Sequence, residues 1–121
     1  MESTTFLVAH PMLPSLDLER TTRFYCDIPG FSAWKPKDDV VVLSRDRLEL
    51  HFWKCEDENL PANSGCRIQV SGIEALVRAC QEAGLEPGPL EGKPTGRRVF
   101  GLNDPDGNIL WIFQLPDATP V

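Results

Sequence analysis

The 121-residue sequence contains no C-x-x-C pair. Its four cysteines, Cys26, Cys55, Cys66 and Cys80, are 29, 11 and 14 residues apart. Neither a zinc knuckle nor a thioredoxin-like dithiol fits that spacing, which leaves free thiols in or near a core. No apolar run approaches the ~20 residues of a membrane span, and no basic stretch precedes an apolar one near residue 1. A cytoplasmic protein with no membrane partner is expected. Basic residues are also scarce, 12 against 18 acids for a net charge of −6. That field repels nucleic acid, and it serves either plain solubility or the attraction of a cationic partner. A G-x-S-x-G elbow is missing too, so Ser, His and Asp have no context that would make them a triad.

What is present is ordinary for a globular chain: 41% apolar and 25% charged residues. One domain of this length buries roughly two thirds of its unfolded surface. "TTFLVAH" (4–10) is β-rich, and Pro11 and Pro14 behind it force a strand end or an edge position. "LDLERTTRFYCDIPGF" predicts a helix from about Leu18 to Asp27, capped by Asp17 and stopped at Pro29-Gly30, with Leu18, Phe24 and Tyr25 inward. "VVVLS" (40–44) and "RLELHFWK" (47–54) read as strands. In the second, Leu48, Leu50 and Phe52 alternate with Glu49, His51 and Trp53, so the two sets take opposite faces. The first set is core. An acid, an imidazole and an indole together suit the wall of a binding cavity better than bulk solvent.

"CEDENLPANSG" (55–65) is an acidic connection, "CRIQV" (66–70) a strand, and "SGIEALVRACQEAG" a helix over about 72–83, capped by Ser71 and ended by Gly84. "LEPGPLEGKPTG" (85–96) has no period and is either a flap or a connector. "RRVFGLN" and "NILWIFQL" close the chain as strands about the turn "DPDG", before a tail, "PDATPV", expected to fray. Strand, polar cap, helix, glycine stop and strands thus occur twice. Leu18 to Ile73 is an offset of 55 and Gly30 to Gly84 of 54. Two βαβββ halves, about 4–54 and 65–115, within a single domain spanning 1–121, are the organisational expectation. Each half alone would leave a sheet face bare, so the two must pair.

The segments "HPMLPSLDLERTTRFYCDIPGF", "DRLELHFW", "IQVSGIEALVRACQEAG" and "GRRVFGLNDPDGNILWIF" resemble the vicinal-oxygen-chelate superfamily of glyoxalase I, extradiol dioxygenases and antibiotic-resistance proteins. Within it, "LHFW", "GRRVFGLNDPDGN" and the lack of a full metal set most resemble the bleomycin-resistance proteins. The resemblance implies an α+β fold, two βαβββ modules forming a curved mixed sheet around a cavity. In the superfamily's metalloenzymes the ligands come from the first and last strands of each half. The matching positions here are His10, Glu49 (or His51 two further on), Gly65 and Trp111. Two of the four cannot bind a metal, so no metal, no other cofactor and no catalytic residue is expected. A metal-dependent enzyme of the glyoxalase or thiol-transferase kind, using His10 and Glu49, is the alternative.

Trp111 stands where a catalytic relative holds a carboxylate, and Phe113 shares its strand phase. Together with Trp53 they either fill core or offer aromatic planes to a flat heterocycle. The resemblance to the bleomycin-resistance branch implies the second: a homodimer with swapped N-terminal strands, sequestering a cationic, aromatic glycopeptide without modifying it. Trp53, Trp111, Phe113, Glu49, His51, Trp34 and His10 are the expected ligand-binding residues. Asp38, Asp39 and the run 56–58 would add charge for a cationic tail. Some antibiotic-binding relatives carry a tryptophan just before the "GR" pair, where this chain has Thr95, so stacking falls to Trp34, Trp53 or Trp111. A binder of another small aromatic metabolite fits the same residues.

Overall fold

The computed structural model describes residues 3–93 and 95–116. All of the expected fraying tail except Pro116 lies outside the described residues. The elements run β1 (Met12–Ser15), α1 (Leu18–Cys26), β2 (Ser32–Lys37), β3 (Val40–Arg45), β4 (Leu48–Lys54), α2 (Asn59–Ala62), β5 (Gly65–Gln69), α3 (Ile73–Glu82), β6 (Arg98–Asn103) and β7 (Ile109–Gln114). The mixed α+β class is as expected, with the strands distributed over two sheets. One has the order β1-β4-β3-β2 and the other β5-β7-β6. Each combines a parallel pair, β1 with β4 or β5 with β7, and an antiparallel pair, β3 with β4 or β6 with β7.

The first strand is not where β-propensity put it. Residues 3–11 carry no regular structure, and pairing starts at Met12. "TTFLVAH" has the residue types of a strand, but a strand needs a ladder partner, and this segment finds none among the described residues. Phe6, Leu7 and Val8 are left 95%, 88% and 67% exposed. Pro14 does lie at an edge, in β1, where a missing donor costs least.

Helix α1 begins as its sequence requires, with the Asp17 carboxylate accepting from Arg20 N at 3.1 Å. Its inward stripe is Leu18, Thr21 and Tyr25, with Phe24 only half-buried. Helix α3 ends before Gly84, at φ +83, but Ser71 does not cap it. The N-cap is Gly72, and the free amide of Ile73 is satisfied by the Gln114 side-chain oxygen at 2.8 Å, from the far end of β7. Strand β2 and the single turn α2 were not expected. Every residue of β2 is exposed, so it has no alternation to read, and its pairing with β3 is irregular between Trp34 and Lys37, around Pro36.

Leu43, Leu50 and Phe52 from one sheet and Phe100, Leu102 and Leu110 from the other meet in one core with Tyr25 and Ile73. The "NDPDGN" turn fastens these parts. Asp104 accepts from the amides of Asp106, Gly107 and Asn108 at 3.0–3.1 Å through one oxygen. Through the other it accepts from the Tyr25 hydroxyl at 3.0 Å and the Asn108 amide at 2.9 Å. Asn108 also donates to Pro14 O at 2.9 Å, and Arg20 pairs with Asp106. β1 and α1 are thereby clasped to the β6–β7 turn. Burial raises the Asp104 carboxyl above its ordinary value, and burial beside Asp104 drives the Tyr25 phenol well above its own.

Candidate functional site

Period two works as expected on both central strands. Leu50 and Phe52 of β4, and Leu110 and Ile112 of β7, face the core. Their neighbours Glu49, His51 and Trp53, and Ile109, Trp111 and Phe113, therefore take the outer faces. Trp53 is 36% and Trp111 48% exposed. Two hollows of about 720 and 360 Å³ lie elsewhere, the larger between the halves with Ile68, Leu110 and Cys80 on its wall, the smaller between α1 and β2. Of the expected ligand-binding residues only Trp34 touches either, at the smaller one. Trp53, Trp111 and Phe113 thus lie on outer sheet faces, away from both of these hollows.

On the four-stranded sheet, His51 lies in register with Met12 on one side and Val42 on the other, and Val42 with Trp34 beyond. His10, at the end of the arm, stacks on His51 with ring centroids 5.2 Å apart. Glu49 joins them, Oε1 3.1 Å from His51 Nε2 and Oε2 4.0 Å from His10 Nε2. Ligating atoms of the three lie within 4.8 Å of one another. Two imidazoles and a carboxylate are a donor set that divalent transition metals accept. The four-position centre of the superfamily's metalloenzymes is nevertheless not built. A Cβ at Gly65 would collide with the carbonyl oxygen and side chain of Ile109, and Trp111 offers no donor. The acids expected to help are exposed, and one is already engaged, since Asp57 accepts from Asn59 N at 2.9 Å.

On the three-stranded sheet the corresponding row is Arg67, Trp111 and Gly101. A Cβ built on Gly101 would stand 3.0 Å from Trp111 Cζ3 and 3.4 Å from Cε3. The edge of the indole therefore rests close against the β6 backbone, in space that a Cβ at this position would crowd. Phe113, in the next row between Gln69 and Val99, is half-buried. The Arg67 and Arg97 guanidinium carbons sit 4.9 and 4.8 Å from its ring centroid. Phe113 is thus a support for two cations rather than a bare stacking plane. Sequence reading missed Arg67, Arg97 and Gly101. The available signal was a glycine at an outward phase of "RRVFGLN", but its meaning depends on the register with β7.

No protein-family profile matches the chain. It is 29% identical, over an alignment 123 positions long, to a bleomycin resistance protein of Geobacillus stearothermophilus, covering 86% of this chain and 93% of that one. Among solved structures it superposes on a bleomycin resistance determinant encoded on the transposon Tn5 with a TM-score of 0.80 at 26% identity, covering 91% of this chain and 98% of that one. It also superposes on the bleomycin-binding protein of the producer Streptomyces verticillus, complexed with copper(II)-bleomycin. There the TM-score is 0.79 at 26% identity, over 91% of this chain and 97% of the other.

Proposed function

We propose, on the premise that the chain belongs to the bleomycin-resistance branch of the vicinal-oxygen-chelate superfamily, that it is a non-catalytic drug-sequestering protein of the cytoplasm. Its cargo is a bleomycin-type molecule, planar in one part and cationic in another. The observation that carries this reading is Trp111: where a metalloenzyme relative holds a ligand carboxylate, this chain sets a half-exposed indole against the backbone of Gly101. Trp53, and Trp34 in the His51 row, are further planes, while Glu49, with His51 and His10 beside it, is the seat for the cationic end. The test is a fluorescence titration with bleomycin, in which the indoles quench on stacking. No quenching up to millimolar drug would end the bleomycin reading and leave a binder of another aromatic metabolite. Quenching that survives both Trp53→Phe and Trp111→Phe would move the anchor to Trp34.

The working unit in this reading is a homodimer in which the 3–11 arms exchange. Among the described residues nothing covers Phe6, Leu7 and Val8, and a second chain would supply that cover and a second wall for the open sheet faces. Each fully buried side chain of that kind contributes roughly 1.5–3 kcal/mol. Sedimentation at micromolar concentration should give twice 13.5 kDa, and deletion of residues 3–9 should return the monomer. A 13.5 kDa species in the intact chain would defeat the arrangement.

The His10–Glu49–His51 cluster favours one second reading, a metal-dependent enzyme. Metal analysis after chelator-free purification separates the two. The expected result is no stoichiometric zinc, iron or manganese, because His10 rides on the exposed arm and the two matching second-half positions, Gly65 and Trp111, offer no donor. Retained metal that is lost in His10→Ala would favour the enzyme.

A further inference from the structure

We propose that the larger hollow, between the two halves, is a binding site separate from the aromatic outer faces. Its ligand is a single-chain anionic amphiphile, a medium-chain aliphatic carboxylate with its tail against Leu76, Ala79 and Cys80 and its head group at Arg45 and Arg47. The hollow measures about 720 Å³, within the roughly 300–1,000 Å³ of small-molecule sites. None of Trp34, Trp53 and Trp111 lines it, so it stands apart from the cargo reading.

The space follows from the repeat. The offset of 55 carries Phe24 and Tyr25 of α1 onto Ala79 and Cys80 of α3. The first half packs two rings under its helix, and the second only a methyl group and a thiol. Ala75, Leu76, Ala79 and Cys80 share one side of α3 by helical spacing, and all four border the hollow. Opposite them stand Leu110 and Ile112, core residues of the three-stranded sheet. The titratable groups of this inner wall bring no negative charge to it. Burial raises the Cys80 thiol above its ordinary value, and burial beside Asp104 does the same, more strongly, to the Tyr25 phenol. A wall so poor in polar partners holds water badly and gains by covering an aliphatic chain.

The mouth is basic. The β3–β4 turn brings Arg45, Asp46 and Arg47 to it. A Cβ at Gly30 would stand 2.9 Å from Arg45 Nε, so the half-buried arginine rests on the turn that follows α1. Its charge is felt at the wall, where it opposes the rise of the Cys80 thiol. Among the described residues the one carboxylate paired with Arg45 is Asp46, 3.7 Å away and with its side chain 89% exposed. No carboxylate pairs with Arg47 in that set. An exposed pair holds its partners weakly, which leaves Arg45 free to make charge-assisted, two-pronged hydrogen bonds to a ligand carboxylate. An ammonium head would instead meet two cations against one acid.

The probes are octanoate, decanoate and decylammonium, followed by calorimetry and by the methyl resonances of isoleucine-labelled protein. Decanoate should bind once per chain and shift Ile68 and Ile112, leaving the indole Nε1–H resonances in place. Each buried methylene is worth about fourfold in affinity, so decanoate should exceed octanoate by about fifteenfold. Decylammonium should bind more weakly than decanoate by roughly tenfold or more. Arg45→Gln/Arg47→Gln should weaken decanoate roughly fivefold or more, and decylammonium not at all. Ala79→Phe gives α3 the ring that Phe24 supplies in α1, and should abolish binding of every probe in protein that circular dichroism shows to be folded. If that variant does not fold, the chain-length ratio and the arginine variant decide. No binding of decanoate at millimolar concentration, equal affinity for octanoate and decanoate, equal affinity for decanoate and decylammonium, or shifts confined to the indoles would each overturn the proposal. Trp111→Phe should leave decanoate binding unchanged, so bleomycin quenching that persists after any of those failures would leave the sequestration reading standing.

Discussion

The two outer faces use one scaffold for opposite electrostatics. In each sheet a central strand pairs parallel with one neighbour and antiparallel with the other. At the middle of β4 the row is Met12, His51 and Val42, with a carboxylate and a second imidazole close by. At the middle of β7 it is Arg67, Trp111 and Gly101, with a second guanidinium close by. The core-facing phases barely differ in character, Leu50 and Phe52 against Leu110 and Ile112. Burial constrains the inner phase to apolar side chains of fitting volume, whereas the outer phase is free to diverge. Chemistry therefore differs between the outer faces, while the inner ones pack the two sheets together.

The clasp at 104–108 is what holds one face in fixed relation to the other, so breaking it should have the largest effect. Asp104→Ala strips the acceptor from three backbone amides, the Tyr25 hydroxyl and the Asn108 amide, in a site where Asn108 and Tyr25 are fully buried. A loss of about 3 kcal/mol or more in urea unfolding is expected, since each buried polar group left without a partner costs about 1–3 kcal/mol and several are left here. Asp104→Asn, which keeps an acceptor, should lose less. If both variants unfold like the parent, the turn does not join the halves.

How much of this was legible follows the range of each cause. Asp17 and the stop at Gly30 act within a few residues, so the bounds of α1 could be read almost to the residue. The cap of α3 was misassigned to Ser71 because the acceptor that satisfies its first amide, Gln114, lies 41 residues away. Strand β2 carries no burial alternation, and the 3–11 arm carries strand propensity without a strand partner among the described residues, so pattern failed in opposite directions there. The outer-face phases of Glu49, His51, Trp53 and Trp111 followed from period two. That Phe113 serves as a seat for arginines, and Gly101 as a seat for an indole, depends on register across three strands, which no single strand reports.

Ligand binding sharpens the comparison at smaller cost. Trp111→Ala should weaken the cargo by about 1–3 kcal/mol, roughly five- to 150-fold, by analogy with stacking of bases on aromatic side chains. The loss should be the same at every salt concentration, because stacking is not screened. Equal losses from Trp53→Ala and Trp111→Ala would mean that both sheets stack the ligand and the faces differ less than their charges indicate.

The sole tyrosine reports on the clasp through pH. The folded Tyr25 phenol titrates well above its ordinary value of 10.0, chiefly because it is buried. Its contribution to stability is complete below pH 10 and falls as pH rises, since the unfolded chain gives up this proton first. The slope is about 1.4 kcal/mol per pH unit until the folded phenol ionises. Phenolate absorbance should therefore appear together with unfolding and not before it. Tyr25→Phe should remove this part of the alkaline sensitivity while losing the bond to Asp104. A phenolate signal near pH 10 in protein that is still folded would mean that Tyr25 is open to solvent and the clasp is loose.

The smallest effect belongs to Glu49, and it discriminates best between the faces. Its side chain is 43% exposed, so screening limits its attraction for a cationic tail to the scale of a surface pair, about 1 kcal/mol or less. Glu49→Gln should therefore cut affinity only a few-fold at low salt, and hardly at all once the screening length falls below about 10 Å, near 0.1 M. Arg67→Gln gives the opposing control. If the cargo places its cation at Glu49 and an uncharged or acceptor edge at Arg67, the two variants change the salt dependence in different ways, and only Glu49→Gln flattens a curve that falls with salt. Should Arg67→Gln instead strengthen drug binding as much as Glu49→Gln weakens it, the cationic tail lies over the three-stranded sheet. The two faces would then contribute to one long-range field rather than forming two subsites.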